Sequence, residues 1–288
     1  MWRKLLTAGL LAASGAVAVL GAAAQAAEVR VLNWKGYGTD EPWAVAAFEK
    51  ATGHKVVHDY FNSEQEMLTK LRTNPGAYDV VLVNVAYSVQ AREENLIQPI
   101  DTGSMANVAD VAPSMRDSEL LNHDGKVFGV PWVWGLTSIA VNDKDVSPLP
   151  DSLGVLWDPA YKGKVTIRDD GLEAVQFAAL ATGQNINDIK DLDTIKTKLK
   201  ELLPQINTYW SAENDWNQFM SSGDIKIGTY WSGAAARAKN EFKLPVTFVI
   251  PKEGAIGWID SLAIPTGSKN VEGAKAFINY MIDPSYYV

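Results

Sequence analysis

Residues 28–83 run EVRVLNWKGYGTDEPWAVAAFEKATGHKVVHDYFNSEQEMLTKLRTNPGAYDVVLV, from Glu28 to Val83. Apolar runs alternate there with helix punctuation, and that alternation decides the fold. Val29-Arg30-Val31-Leu32-Asn33 reads as a short strand. Asp40 stands at an N-cap position for a helix reaching about Thr52, with Trp43, Ala47 and Phe48 on one face and Gly53 ending it. Lys55 to Tyr60 is a second strand. Ser63 with Glu66 three residues later has the pattern of a capping box, opening a helix to about Thr73 that Asn74-Pro75-Gly76 breaks. The continuous apolar run Val80-Val81-Leu82-Val83 predicts a fully buried parallel strand. A β-α-β-α-β order of this kind implies an α/β sheet whose ligand lies beyond the carboxyl ends of its strands.

The alternation continues downstream. Strands are predicted at Ser138 to Val141, Val165 to Ile167, Ile225 to Gly228 and Val246 to Ile250. Helices fit Glu173 to Thr182, Leu192 to Leu203, Asp215 to Ser221 and Ala234 to Phe242. A last strand, Ser261 to Ile264, precedes a helix from about Val271 to Ile282. No internal repeat, low-complexity tract or long linker interrupts the chain. The expected architecture is two α/β lobes, one from residues 27–135 plus 262–288 and one from 136–261. The chain would cross between them near Gly135 and again near Trp258. Clefts between domains are preferred ligand sites, and hinges close them.

Composition narrows the function. Arg3 and Lys4, the apolar Leu5 to Leu20 and the small-residue signal Ala24-Gln25-Ala26 make residues 1–26 an expected bacterial-style export signal, with the mature chain starting at Ala27. The apolar stretch is too short and Ala-rich for a membrane span, and one Arg-Lys is not a twin-Arg signal. A periplasmic location follows as the expectation. The chain has no Cys, which removes thiol catalysis, Cys-ligated metals and a lipid-anchored lipoprotein, and leaves the hydrophobic core to carry stability. Without Arg3 and Lys4, 24 basic residues face 34 acidic ones. That balance argues against nucleic acid and suits a cationic ligand. His54, His58 and His123 are the only histidines, and no ligand set forms around them, so neither metal nor cofactor is expected. Gly36-Tyr37-Gly38 lacks the third glycine of a dinucleotide loop, with the acid Glu41 at its place, and no P-loop pattern exists.

The chain contains 10 Trp, and several close an apolar run: Trp34, Trp132, Trp134, Trp231 and Trp258. An aromatic face beside a carboxylate holds an organic cation, because the ring quadrupole attracts the charge and the carboxylate pairs with it. Trp258 and Asp260 share strand parity and so point to one side. Asp169-Asp170 with Glu173 is open to two readings, an acidic helix start that complements the dipole or a cation site. Trp132 and Trp134 are equally open to hinge packing and ligand contact. Trp43, Trp157, Trp210 and Trp216 read as structural.

Several stretches, in order along nearly the whole mature chain, carry a family resemblance. They are Asn33-Trp34-Lys35-Gly36-Tyr37, Gly76-Ala77-Tyr78-Asp79-Val80-Val81, Val130-Pro131-Trp132-Val133-Trp134-Gly135 with Val141-Asn142, and Trp157-Asp158-Pro159-Ala160-Tyr161-Lys162-Gly163. The most specific are Asp169-Asp170-Gly171-Leu172-Glu173 and Pro251-Lys252-Glu253-Gly254 running into Trp258-Ile259-Asp260-Ser261-Leu262-Ala263-Ile264-Pro265. Together they resemble the periplasmic polyamine-binding proteins of ABC transporters, the spermidine/putrescine type. The resemblance implies a periplasmic-binding-protein fold, no enzymatic activity, and a polyamine held between the lobes. Trp34 and Tyr37 would line the cleft from the first lobe. Asp170 and Glu173 would hold ammonium groups, Trp231 would stack on the alkyl chain, and Trp258 with Asp260 would contact the ligand near the crossover.

Two departures bear on that expectation. Asn84 and Ala86 stand where the family's spermidine binder has a serine and, two positions later, a tyrosine, so one aromatic wall is expected to be missing, although Tyr87 is adjacent. The chain also stops at Tyr286-Tyr287-Val288, where the family continues with further helices, so a C-terminal segment is expected to be absent. The site residues expected are Trp34, Tyr37, Asn84, Asp170, Glu173, Trp231, Trp258 and Asp260. The partners expected are a polyamine, a membrane permease and its separate ATPase subunit, with the protein itself a monomer. The competing readings are the same fold taking an opine, amino acid derivative or organic anion, and, more remotely, a secreted glycoside hydrolase using the Asp169 to Glu173 carboxylates.

Overall fold

A computed structural model describes residues 27–287; the expected export signal over 1–26 lies outside them. The first core is built on β1 (Glu28–Asn33), α1 (Pro42–Thr52), β2 (Lys55–Tyr60), α2 (Glu64–Thr73), β3 (Val80–Asn84) and α3 (Val85–Glu93). The long strand β4 (Val130–Asn142) follows, then β5 (Val165–Arg168), α4 (Gly171–Ala181), α5 (Leu192–Leu202), β6 (Ile206–Trp210), α6 (Glu213–Ser222), β7 (Ile227–Trp231) and α7 (Ser232–Asn240). The chain closes with β8 (Val246–Val249), β9 (Ile256–Pro265) and α8 (Val271–Met281). The remaining elements are short strands and single turns of helix.

The main strands follow the order β2-β1-β3-β9-β4-β7-β5-β6 in one sheet. β1 pairs in parallel with β2 and β3, and β5 in parallel with β7 and β6. Two parallel units thus flank an antiparallel pair, β9 against β4, in which Trp258 lies opposite Gly135. The two positions expected as crossovers are therefore direct register partners. On one side of that pair Val130, Leu262, Ala263 and Ile264 join a core with Val31, Val81, Phe48 and Phe277. On the other, Ile139, Val141 and Ile256 pack with Leu153, Val165 and Phe177, beside a cluster around Trp210, Trp216 and Tyr230.

Local chemistry explains most boundaries and several differences from expectation. Val80–Asn84 is buried throughout its apolar part as predicted, and it is parallel only to β1, for its other edge pairs antiparallel with β9. α1 is not capped by Asp40. Glu41 occupies the N-cap without a side-chain bond, Pro42 starts the helix, and Asp40 instead accepts a hydrogen bond from Gly36 N–H. Its buried face is Ala44 and Phe48, whereas Trp43 is exposed and stacks on Tyr286. Ser63 caps α2 through Glu66 N–H, yet the Glu66 carboxylate reaches back to Asn62 N–H, one residue beyond the N-cap that a closed capping box would use. Strand β6 escaped the sequence reading, because Ile206-Asn207-Thr208-Tyr209-Trp210 alternates at half-buried positions without a long apolar run. β7 runs to Trp231 rather than stopping at Gly228, and that extension brings Trp231 to the sheet's carboxyl edge.

Candidate ligand cleft

The candidate side chains stand at the carboxyl ends of four parallel strands. Trp34 follows β1, Asn84 ends β3, Arg168 ends β5 and Trp231 ends β7. Carboxyl ends of parallel strands are where an α/β sheet offers open backbone and helix N-termini to a ligand. Trp258 and Asp260 come from β9, two residues apart and ahead of its bulge between Asp260 and Ser261, so unbroken alternation sends both to one face.

Asp260 is fixed by two donors from the first core. Tyr37 donates its hydroxyl to one carboxylate oxygen at 2.8 Å and Asn84 Nδ2 donates to the other at 2.8 Å. Asn84 is itself held by accepting Ala86 N–H through its amide oxygen at the start of α3. Burial dominates the electrostatics here. It pushes the Asp260 carboxyl up to about 6, against the lowering effect of the two hydrogen bonds. Burial also raises the Tyr37 hydroxyl, with Asp260 adding to the effect. Tyr37 sits edge-on to Trp132 at 5.7 Å, and Trp34 edge-on to Phe61 at 4.5 Å.

A second acidic group lies across the cleft. Asp170 caps α4 with one oxygen, which accepts from Leu172 and Glu173 N–H, while its other oxygen accepts from Tyr87 hydroxyl at 3.2 Å. The helix-start reading therefore accounts for one oxygen of Asp170, and the other faces Tyr87. Tyr87 is buried, while the adjacent Ala86 is exposed. Glu173 accepts from Thr229 hydroxyl at 3.2 Å, and burial raises its carboxyl to about 7.

Between these acids lies a residue that sequence reasoning missed. Arg168 Nη2 bonds both Glu64 oxygens, at 3.3 and 3.1 Å, and Nη1 lies 3.4 Å from Asp170 and 3.8 Å from Glu173. Its guanidinium also sits 5.2 Å over the Trp231 ring, which is braced edge-on against fully buried Trp210 at 4.9 Å. Burial alone lowers the guanidinium's affinity for its proton; the three carboxylates outweigh that and raise it. Glu64 escaped notice because an acid in the first turn of a helix is ordinary. Arg168 had a weak signal, its place at the end of a buried apolar strand immediately before Asp169-Asp170.

Trp258 needs Gly135. A Cβ at position 135 would fall 2.4 Å from Trp258 Cζ2, so the indole occupies the space a side chain would fill. Trp258 Nε1 is buried without a hydrogen-bond partner among the described residues. Gly135→Ala is expected to displace the ring and to destabilise the chain by about 1–3 kcal/mol, the usual range for overpacking. Urea unfolding followed by tryptophan fluorescence checks this, and an unchanged midpoint would mean that the ring moves freely. Trp134, by contrast, is 64% exposed.

Of the eight expected site residues, Tyr37, Asn84 and Asp260 form one hydrogen-bonded group. Asp170, Glu173 and Trp231 gather around Arg168. Trp258 lies two residues from Asp260 on β9, and Trp34 packs on Phe61 in the first core. Among the described residues no helix is long and apolar enough to cross a membrane.

Comparison with known proteins places this arrangement. Residues 43–287 match the model of the bacterial extracellular solute-binding protein family. The chain is 36% identical to the spermidine/putrescine-binding periplasmic protein of Escherichia coli over 282 residues, covering 95% of this chain and 79% of that one. It is 29% identical to the putrescine-binding periplasmic protein PotF of the same organism, over 98% of this chain and 80% of the other. Among solved structures, a putative spermidine/putrescine ABC transporter protein from Listeria monocytogenes superposes with a TM-score of 0.80 at 27% identity, covering 90% of this chain and 79% of that one. The two parallel units joined by an antiparallel pair are the periplasmic-binding-protein fold, and the chain belongs to the bacterial extracellular solute-binding protein family.

Proposed function

We propose that this protein is the periplasmic substrate-binding component of an ABC transporter and captures a polyamine, of the putrescine or spermidine class, between two lobes for delivery to a membrane permease. The observation that carries this reading is the buried set of carboxylates beside indole rings at the meeting of the two cores. A polyamine is a methylene chain with ammonium groups at intervals. It therefore suits flat aromatic walls with carboxylates spaced along them. Trp34, Tyr37, Asn84 and Asp260 would meet one end, Asp170 and Glu173 the other, with Trp231 and Trp258 as walls. The lobes would be residues 27–135 plus 262–288 and 136–261, hinged where Gly135 opposes Trp258. No chemistry is performed on the ligand, and ATP hydrolysis belongs to a separate subunit. The names of the similar proteins support the ligand class.

Calorimetry on ligand-free protein, with putrescine and spermidine against dicarboxylates and amino acids, tests the proposal. Binding of the amines alone is expected; anion binding without amine binding would overturn it. The reading also fixes a pH dependence. Burial raises the Asp260 and Glu173 carboxyls to about 6 and about 7, and a bound ammonium requires their ionised forms. Amine affinity should therefore be full above about pH 8 and fall as pH drops through 7 and 6, each bound amine releasing protons in that window. Calorimetry at pH 6.5 in buffers of different ionisation enthalpy measures that release, and a buffer-independent heat would contradict it.

A further inference from the structure

Arg168 is a cation already in the cleft. Its side chain is 12% exposed, and Glu64, Asp170 and Glu173 around it are 9%, 10% and 9% exposed. The guanidinium therefore draws on acids from both sides of the cleft: Glu64 opens α2 in the first core, whereas Asp170 and Glu173 open α4 in the second. It also lies over part of the Trp231 ring, 5.2 Å from its centre. An indole face flanked by carboxylates is the environment a ligand ammonium requires, so Arg168 provides internally what a ligand would otherwise provide. Four carboxylates, the buried Glu64, Glu173 and Asp260 and the largely covered Asp170, then face a ligand with one positive charge already among them.

Resting on the polyamine reading above, we propose that Arg168 is a specificity-determining residue that lowers by one the number of ammonium groups the cleft accepts, favouring a diamine over a triamine. A second ammonium can join Asp260 and share the acids around Arg168. A third must either approach the guanidinium or displace it from Glu64 and Trp231. Like charges brought together in a desolvated site repel strongly, and an arginine cannot relieve this by losing its proton.

The test is calorimetry of putrescine and spermidine with the full chain and with Arg168→Met, Arg168→Gln and Arg168→Lys. The wild type is expected to prefer putrescine. Arg168→Met should shift the ratio of the two dissociation constants at least tenfold toward spermidine, and Arg168→Lys, which keeps the charge, should leave the ratio near wild type. If Arg168→Met does not fold, Arg168→Gln carries the same expectation, because its amide still donates to Glu64. Putrescine binding with the same ratio in the neutral variants as in the wild type overturns this proposal and leaves the polyamine reading standing. If neither amine binds the wild type, both readings are overturned.

Discussion

Asp260→Asn is expected to weaken amine binding on the order of a hundredfold while making the ligand-free protein more resistant to unfolding. The binding loss follows from removing the buried charge that Tyr37 and Asn84 hold in place. A hydrogen bond to a charged group is worth about 1.5–3 kcal/mol, and removing one partner of a buried ion pair costs about 3–5 kcal/mol; a hundredfold corresponds to about 2.7 kcal/mol. The stability gain follows from the raised carboxyl. Burial moves Asp260 from 3.8 to about 6, so between those values the folded chain keeps a proton that the unfolded chain has released. Stability contributed by this group therefore falls as pH rises through about 4 to 6, and the full penalty is present at pH 7.5. Asparagine carries no such penalty, and its geometry is workable. Its oxygen accepts from Asn84 and its amide donates to the Tyr37 hydroxyl. The gain should be on the order of 2 kcal/mol at pH 7.5 and vanish near pH 4. Calorimetry and urea unfolding at the two pH values measure both effects. Unchanged amine affinity would remove Asp260 from the site, and lower stability at pH 7.5 would mean that the carboxylate's hydrogen bonds outweigh its desolvation.

Much of this was legible in the residue order, for reasons that differ by element. Val80 to Val83 announced a buried strand because burial on both faces permits no polar residue. Gly53 announced the end of α1 because that position has φ 75°, which glycine adopts without strain. Crossovers were expected near Gly135 and Trp258, but the direct pairing of these two positions depends on a register that no local signal specifies. Asp170 and Glu173 were legible as acids at a helix start. What they hold was not, because Arg168 reaches Glu64 from 104 residues away. Tyr87 was a neighbour of a gap in the sequence and becomes a contact to Asp170 only when the two cores meet. The pattern is physical. Periodicity encodes which face of an element is buried, whereas pairing of charges between residues about 100 positions apart depends on how distant elements are brought together.

Trp231→Ala is expected to cost the protein its amine affinity, again on the order of a hundredfold, by a route that leaves the charges in place. The indole ends β7, starts α7, and is fixed by Trp210 behind it and Arg168 in front. Truncation removes the apolar wall against which methylenes would lie, and roughly 2–3 kcal/mol of burial with it. It also removes the quadrupole that favours a cation there, about 0.5–2 kcal/mol. Arg168 then loses its stacking partner and keeps only its carboxylates, which leaves more of its charge facing a ligand. Trp231→Phe should recover part of the loss, since a smaller ring retains apolar area and a weaker quadrupole. The effect on stability should be smaller than for Trp210→Ala, because Trp231 is half-buried and Trp210 is fully buried, and emptying such a site costs about 3–5 kcal/mol. The heat capacity change of binding separates this variant from Asp260→Asn. It should be less negative in Trp231→Ala, where apolar burial is lost, and near wild type in Asp260→Asn, where only charge is lost. Wild-type affinity in Trp231→Ala would mean that the ring serves only to brace Arg168, and the wall would then have to be Trp34 and Trp258.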